Sequence, residues 1–340
     1  MRPFVYEQPT DISTAVAIAS RFATDDDQPT RANAQFIAGG TNLADYMKLG
    51  VAEPNHLLDL NQLKEAALRQ IQVTDGGIRF GALVRMGEAA DHAEVNRRYP
   101  VIADSLRLAA SGQIRNMASL AGNVLQRTRC EYFRETSWQC NKRVPGSGCA
   151  AMDGFNRQHA VLGVSDACIA TYHGDFAQAL IALDAVVHAE GGHGARKIPF
   201  AKLHRQPRDT PHVETDLAAE EIITAIEVPA IPWARRSLYL KIRDRESYAF
   251  ALASAAVALD LDGETVREAR IALGGVATVP WRAGAAEEAL QGKKLDEASA
   301  GAAADAAFAG AHPRQHNAFK IELGKRTLVR ALLETRDMKV

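Results

Sequence analysis

An excess of charge of either sign is missing from this chain. The 40 basic residues meet 41 acidic ones, a net charge of −1, so no electrostatic footprint for nucleic acid or an anionic membrane is present. No apolar run approaches the length that a bilayer span requires. The opening residues MRPFVYEQPTDIS lack a charged stretch followed by an apolar one, so they do not read as a secretory signal, and any export is expected to be carried by something else. A GK[ST] phosphate loop, a GxGxxG turn and an HExxH pair are all absent, and no Ser/His/Asp set has motif support. Internal repeats are absent as well. Cysteine is scarce, with 4 in 340 residues, yet 3 of the 4 fall within a single 20-residue stretch. What remains is ordinary for a soluble α/β or α+β protein of two or three domain-sized units, 47% apolar and 24% charged.

Reading along the chain, Thr10 or Asp11 caps a helix through Ile12, Val16, Ala19 and Phe22, and DDDQPTRANA reads as a polar linker. QFIA at 35–38 is a short strand running into Gly39-Gly40-Thr41-Asn42, and LADYMKLG is a helix ending at Gly50. HLLDL at 56–60 is another strand. Alternating Ile71/Val73 and Ile78/Phe80 around Gly76-Gly77 predict a hairpin. Residues 87–109 are helical with a break at Pro100, and 127–157 are poor in regular structure. A helix at 175–185, a strand after it and a strand at 221–229 follow. Beyond residue 230 the pattern changes to three antiparallel strands, with Asp262-Gly263 as a turn. Helices at about 283–290, 295–310 and 317–335 then pack on one face of them.

Two loops have the composition of an anion cradle. In FIAGGTNL, two glycines let the backbone approach a ligand, and Thr41 and Asn42 add donors; a plain turn is the competing reading. In SGQIRNMASLAGN (111–123), Gly112, Ser119, Gly122 and Asn123 are small or amide-bearing. Together the two loops would hold a pyrophosphate from both sides, with Arg115 as its counter-charge or as a structural ion-pair residue. Asp175 is a helix cap or a ribose acceptor. Lys241 is a solvated strand lysine or faces a flavin edge.

Cys130, Cys140, Cys149 and Cys168 are spaced C-x9-C, C-x8-C and C-x18-C. Zinc sites usually carry closer pairs, and bacterial ferredoxin spacing is absent. Between Gln126 and Ala150, 5 cationic side chains (Arg127, Arg129, Arg134, Lys142, Arg143) outnumber 2 carboxylates, which suits thiolates or an anionic cluster. Iron–sulfur ligation, disulfides or free thiols, and zinc all stay open on spacing alone.

Five segments in order, AGGTNL (38–43), FGAL (80–83), QIRNMASLAGN (113–123), IITAIEVP (222–229) and ALGGVATVPWRA (272–283), resemble the FAD-binding medium subunit of the xanthine dehydrogenase family of molybdenum hydroxylases. The cysteine-rich insertion resembles that of the flavin subunit of bacterial periplasmic aldehyde oxidoreductases, which carry an extra [4Fe–4S] cluster. The resemblance implies an α+β fold. A two-part FAD-binding domain of the vanillyl-alcohol oxidase type would span 1–229, divided into 1–55 and 56–229 with an insertion at about 126–168. A flavoprotein C-terminal domain would span 230–340. It also implies that Ile37, Ala38, Gly39, Gly40, Thr41, Asn42, Leu43, Ser119, Gly122 and Asn123 bind the FAD diphosphate. Asp175 would hold the ribose and Lys241 would sit by the isoalloxazine. Cys130, Cys140, Cys149 and Cys168 would ligate the cluster. The chain departs from the family pattern at Ala121-Gly122-Asn123, often Gly-Gly-Asn, and at Tyr172-His173-Gly174-Asp175, often His-Pro-Ser-Asp. The second change removes a hydroxyl and leaves only backbone for a contact at 174.

The implied function is electron transfer within a heterotrimeric molybdenum aldehyde oxidoreductase, which turns an aldehyde into its acid. The partners implied are a small [2Fe–2S] subunit, a large subunit with the molybdenum cofactor, and an external acceptor; no general acid or base is required of this chain. The implied compartment is the periplasm, reached as a folded passenger of a signal-bearing partner, with the cytoplasm as the alternative. Two competing readings are a self-sufficient flavin oxidase and a disulfide-linked scaffold.

Overall fold

The computed structural model describes residues 1–23 and 28–340; the acidic start of the expected linker, residues 25–27, lies outside the described residues. The described residues build three sheets. The first is parallel, with Val5–Glu7, His56–Asp59 and Ala34–Ile37 in that spatial order. Helix Ile12–Ser20 starts where Asp11 accepts the amide of Thr14 at 2.8 Å, as its capping chemistry requires. Val5–Glu7 was not anticipated. Its side chains are mostly exposed and show no alternation, so pairing with His56–Leu58 and a 2.6 Å bond from the Tyr6 hydroxyl to Asp59 define it instead.

The second sheet is antiparallel, in the order Ile71–Thr74, Gly77–Gly81, Ile222–Pro229, Val186–Gly191, Gly194–Pro199. The expected hairpin is present. Gly77 has φ +139°, and a Cβ there would lie 2.1 Å from the Val228 carbonyl, so the turn needs glycine both for its torsion and for its neighbour. Short helices Met86–Asp91, Ala93–Arg98 and Pro100–Arg107 follow. Pro100 opens the last of them, where a missing amide costs nothing. With helix Phe176–Ala182 they bury the main core. Phe80 and Phe176 meet edge to face at 6.3 Å, both fully buried, and truncating either ring to alanine would cost about 3–5 kcal/mol.

The third sheet is antiparallel: Trp281–Arg282, Thr265–Gly274, Ala253–Asp262, Ser237–Ile242. The two-residue strand adds a fourth member to the three expected. The sequence placed helices on one face, whereas the structure covers both. Ala255, Val257 and Leu259 point toward helices Gly284–Leu290, Glu297–Phe308 and Phe319–Arg336. The alternate residues Ala256 and Ala258 join the main core beside Pro100–Arg107 and Phe176–Ala182. Small side chains on that face let helices from the first part of the chain approach closely, and this fuses the two halves along one sheet.

Candidate functional site

At the carboxyl end of Ala34–Ile37 the chain turns through Gly39 and Gly40 into helix Leu43–Lys48. Gly40 takes φ +69°. Gly39 is fixed by a different constraint: a Cβ there would lie 2.1 Å from the Met117 carbonyl and 3.0 Å from Ala118 Cα. The stretch 111–123, expected as a loop, instead forms short helices Gly112–Met117 and Leu120–Val124, and the joint between them touches the Gly39-Gly40 turn backbone to backbone. Between them and the ends of the second sheet opens a cleft of about 240 Å³. Ile37, Ala38, Gly39, Gly40, Thr41, Asn42, Leu43, Ser119 and Gly122 all line it. The mouth of a crevice at strand carboxyl ends is the usual place for a ligand in such sheets.

Side-chain bonding around the cleft is uneven. The Ser119 hydroxyl accepts the Gly122 amide at 3.2 Å, so it serves as a helix cap. Asn42 Oδ1 accepts the Arg127 amide at 3.2 Å, while its Nδ2 has no partner. Asn123 Nδ2 donates to Met86 Sδ at 3.3 Å and its Oδ1 has no partner; Asn123, expected among the diphosphate-binding residues, does not line the cleft. His204 donates from Nε2 to the Val124 carbonyl at 2.8 Å and leaves Nδ1 unpaired, with burial pushing its pKa down to about 4. Unpaired buried polar atoms cost about 1–3 kcal/mol each. Asn42 and His204 belong to the cleft wall, but these atoms are covered by protein, so the fit to a dinucleotide rests on the glycine-bearing backbone and on the charge of the wall.

One wall carries charge that the motif reading did not single out. Arg127 Nη2 lies 2.6 Å and Lys142 Nζ 3.4 Å from the Glu214 carboxylate, all three nearly buried. Burial opposes ionisation of Glu214, but the two cations outweigh it and hold the carboxyl below its ordinary range. Two cations against one anion leave this wall net positive, as a diphosphate requires. Arg127 and Lys142 lay in the cationic stretch already noted. Glu214 sits in a loop far along the chain, without any periodic signal.

Asp175 and Lys241 do not line the cleft. They form a buried pair, 2.8 Å apart, with side chains 5% and 1% exposed. Asp175 stands at the start of helix Phe176–Ala182 but makes no capping bond; its other oxygen accepts the Tyr239 hydroxyl at 2.7 Å. Burial raises the Asp175 pKa, against the pull of Lys241. Lys241 also donates to the Leu108 carbonyl at 3.0 Å, so it is not a solvated strand lysine. Arg115 turns away from the cleft and donates to the Ala109 carbonyl at 2.7 Å.

All four cysteines are free and share one apolar core with Tyr46, Phe133 and Ile169. Cys140 and Cys149 face each other across an isolated antiparallel bridge, and Cys168 pairs with Ser165. Burial raises the Cys130 and Cys149 thiols and takes Cys168 to about 11, and Cys130 feels the charge of the other three. Among the described residues, no group of three or more His, Cys, Asp or Glu side chains is arranged to hold a metal ion as it stands. In kind the donor set fits a four-thiolate cluster, with four uncommitted sulfurs on one core, and binding would draw them together and displace their protons. The cysteine core also backs directly onto the cleft, because Ile37, Leu43, Tyr46, Ala52 and Ala170 belong to both. Thr128 lines the cleft, and its hydroxyl accepts the Cys130 amide at 3.2 Å.

Comparison with known proteins gives a consistent picture. Residues 2–231 match the family described as FAD binding domain in molybdopterin dehydrogenase, and 238–335 match the CO dehydrogenase flavoprotein C-terminal domain. The chain is 48% identical over 338 residues to the aldehyde oxidoreductase FAD-binding subunit PaoB of Escherichia coli, covering 99% of each chain. It is 27% identical over 312 residues to the carbon monoxide dehydrogenase medium chain of Hydrogenophaga pseudoflava, covering 92% of this chain and 88% of that one. A solved structure of the carbon monoxide dehydrogenase from Hydrogenophaga pseudoflava, in a form lacking the Mo-pyranopterin moiety, superimposes with a TM-score of 0.74 over 98% of this chain and 96% of that chain.

Proposed function

This chain belongs to the family of FAD-binding subunits of molybdopterin dehydrogenases, and from that premise we propose that it is the flavin-bearing, electron-transferring subunit of a molybdenum aldehyde oxidoreductase. The observation that carries the proposal is the cleft where the Gly39-Gly40 turn meets the backbone of Met117-Ala118, lined by Ile37–Leu43, Ser119 and Gly122. FAD bound there supplies the means of taking electrons from a metal centre and passing them to an external acceptor. The residues of the chain position and polarise. The backbone of Ile37–Leu43 and of Ser119–Asn123 would hold the diphosphate, with Arg127 and Lys142 offsetting its charge. Asp175 is proposed for the ribose and Lys241 for the isoalloxazine; because both are buried in a pair with each other and with Tyr239 outside the cleft, such contacts would require that pair to open toward the flavin. No side chain is required to move a proton to or from the aldehyde, whose chemistry would belong to a partner with the molybdenum cofactor.

The four free cysteines are proposed as ligands of a [4Fe–4S] cluster that exchanges single electrons beside the flavin. A small [2Fe–2S] subunit and a large molybdenum subunit complete the proposed heterotrimer. The proposed compartment is the periplasm, reached with a signal-bearing partner. Among the described residues, no helix is long and apolar enough to cross a membrane. Purification of the chain with whatever accompanies it tests the reading. Bound FAD, about four iron atoms per chain and two co-purifying subunits are expected. Aldehyde oxidation by this chain alone, or a flavin-free complex, would overturn it.

A further inference from the structure

Outside the cleft, the densest unexplained bonding surrounds His159. Its Nε2 lies 3.1 Å from Cys130 Sγ, and its Nδ1 is buried with no partner. The backbone at His159 is clamped from the C-terminal helix. Lys320 Nζ donates to the carbonyls of Gln158 at 3.0 Å, His159 at 3.1 Å and Gly275 at 2.6 Å. Asn317 donates to the carbonyl of Ala160 at 3.0 Å, and Asn156 accepts the His316 amide at 3.0 Å. Lys320, Asn317 and Asn156 are all fully buried. A fully buried lysine spent on three carbonyls is a costly device, and its effect is to fix where the His159 ring stands.

The proton on the ring can be placed. A sulfur that ligates a metal is a thiolate and has no hydrogen to give, so a ring nitrogen facing it has to donate; a lone pair there would repel it. The unpaired Nδ1 agrees, because a buried acceptor without a partner is tolerated better than a buried N–H without one. Both observations select the Nε2–H tautomer.

We propose that His159 is a positioning and tuning residue, donating Nε2–H to Cys130 Sγ and raising the reduction potential of the iron–sulfur cluster that Cys130 would ligate. The proposal rests on the iron–sulfur reading above. Hydrogen bonds to ligating sulfurs are among the levers that set cluster potentials, because they stabilise the more negative, reduced state. The Lys320 clamp makes the bond rigid and ties it to the C-terminal helix.

The experiment is a redox titration of the cluster in the purified complex, followed by electron paramagnetic resonance, for wild type, His159→Phe and His159→Gln. Phenylalanine keeps the ring and removes the donor, whereas glutamine keeps an amide donor. The expected result is retained iron and a lower potential in His159→Phe. A tenfold change in the reduction equilibrium is expected, about 59 mV for a one-electron couple, with recovery toward wild type in His159→Gln. An unchanged potential in His159→Phe overturns the proposal. Loss of iron from both variants with FAD retained also overturns it, since His159 would then be a structural prop or a ligand. Absence of iron from the wild-type complex is a different outcome, and it removes the cluster reading itself.

Discussion

Replacing Gly39 with alanine is the sharpest test of how the cleft is built. The new Cβ would lie 2.1 Å from the Met117 carbonyl oxygen and 2.8 Å from its carbon, both backbone atoms that cannot rotate away. Restoring an ordinary contact of 3.4 Å means parting the two glycine loops by the difference, more than an ångström at this one point. Overpacking of this kind costs about 1–3 kcal/mol. The empty chain can relieve part of the strain by letting the loops separate, but a ligand held by both loops requires them closed, so the cost appears chiefly in binding. That converts to a loss of FAD affinity of roughly 5- to 150-fold. Gly40→Ala provides the contrast. At φ +69° it has open space, with Ile37 Cδ1 at 3.6 Å, and only the left-handed torsion is penalised. It should lower stability by about 1–2 kcal/mol and affect FAD affinity less. The assay is FAD titration of deflavinated complex by quenching of flavin fluorescence, with thermal unfolding alongside. A Gly39→Ala complex with wild-type affinity and melting temperature would refute the argument that the touching loops form the cradle.

Other outcomes follow from the same geometry. Lys241→Met strands the buried Asp175 and should cost about 3–5 kcal/mol in thermal or urea unfolding, whereas Lys241→Met with Asp175→Asn should recover most of it; a double variant as weak as the single would sink the pairing argument. Cys140→Ser should abolish bound iron and leave FAD in place, measured by metal analysis and flavin extraction, and iron at the wild-type level would remove Cys140 from the ligand set. Glu214 has its folded pKa depressed below the ordinary value of 4.5, so the stability it contributes is complete above that value and is lost as pH falls through the lowered one. Melting curves of wild type and Glu214→Gln should therefore converge on acidification, and a gap that stays constant with pH would contradict the ion-pair account.

Much of this was legible in the sequence wherever a local rule governs. Glycine pairs marked the hairpin at 76–77 and the turn after Ala34–Ile37, because few other residues fit those torsions. The two loops were recognisable separately by their small residues; that they touch at Gly39 and Met117 is a tertiary fact. Alternation locates Ala253–Asp262 and Thr265–Gly274, but nothing in it says that the Ala256/Ala258 face is covered as well, by helices from the first half of the chain. The Asp175–Lys241 pair, 66 residues apart, and the Arg127–Glu214 pair, 87 apart, have no sequence signature, since a charge that pairs across a core looks like any surface charge. His159 was invisible for the same reason. A lone histidine becomes informative only once its distance to a cysteine is known.

Hydrogen exchange of the deflavinated complex, with and without added FAD, tests the central claim most directly because it reports where the cofactor sits. The account predicts protection in two separate segments at once, 37–43 and 118–128, with little change in helix Glu297–Phe308. FAD-dependent protection that bypasses both segments, or none at all, would contradict it.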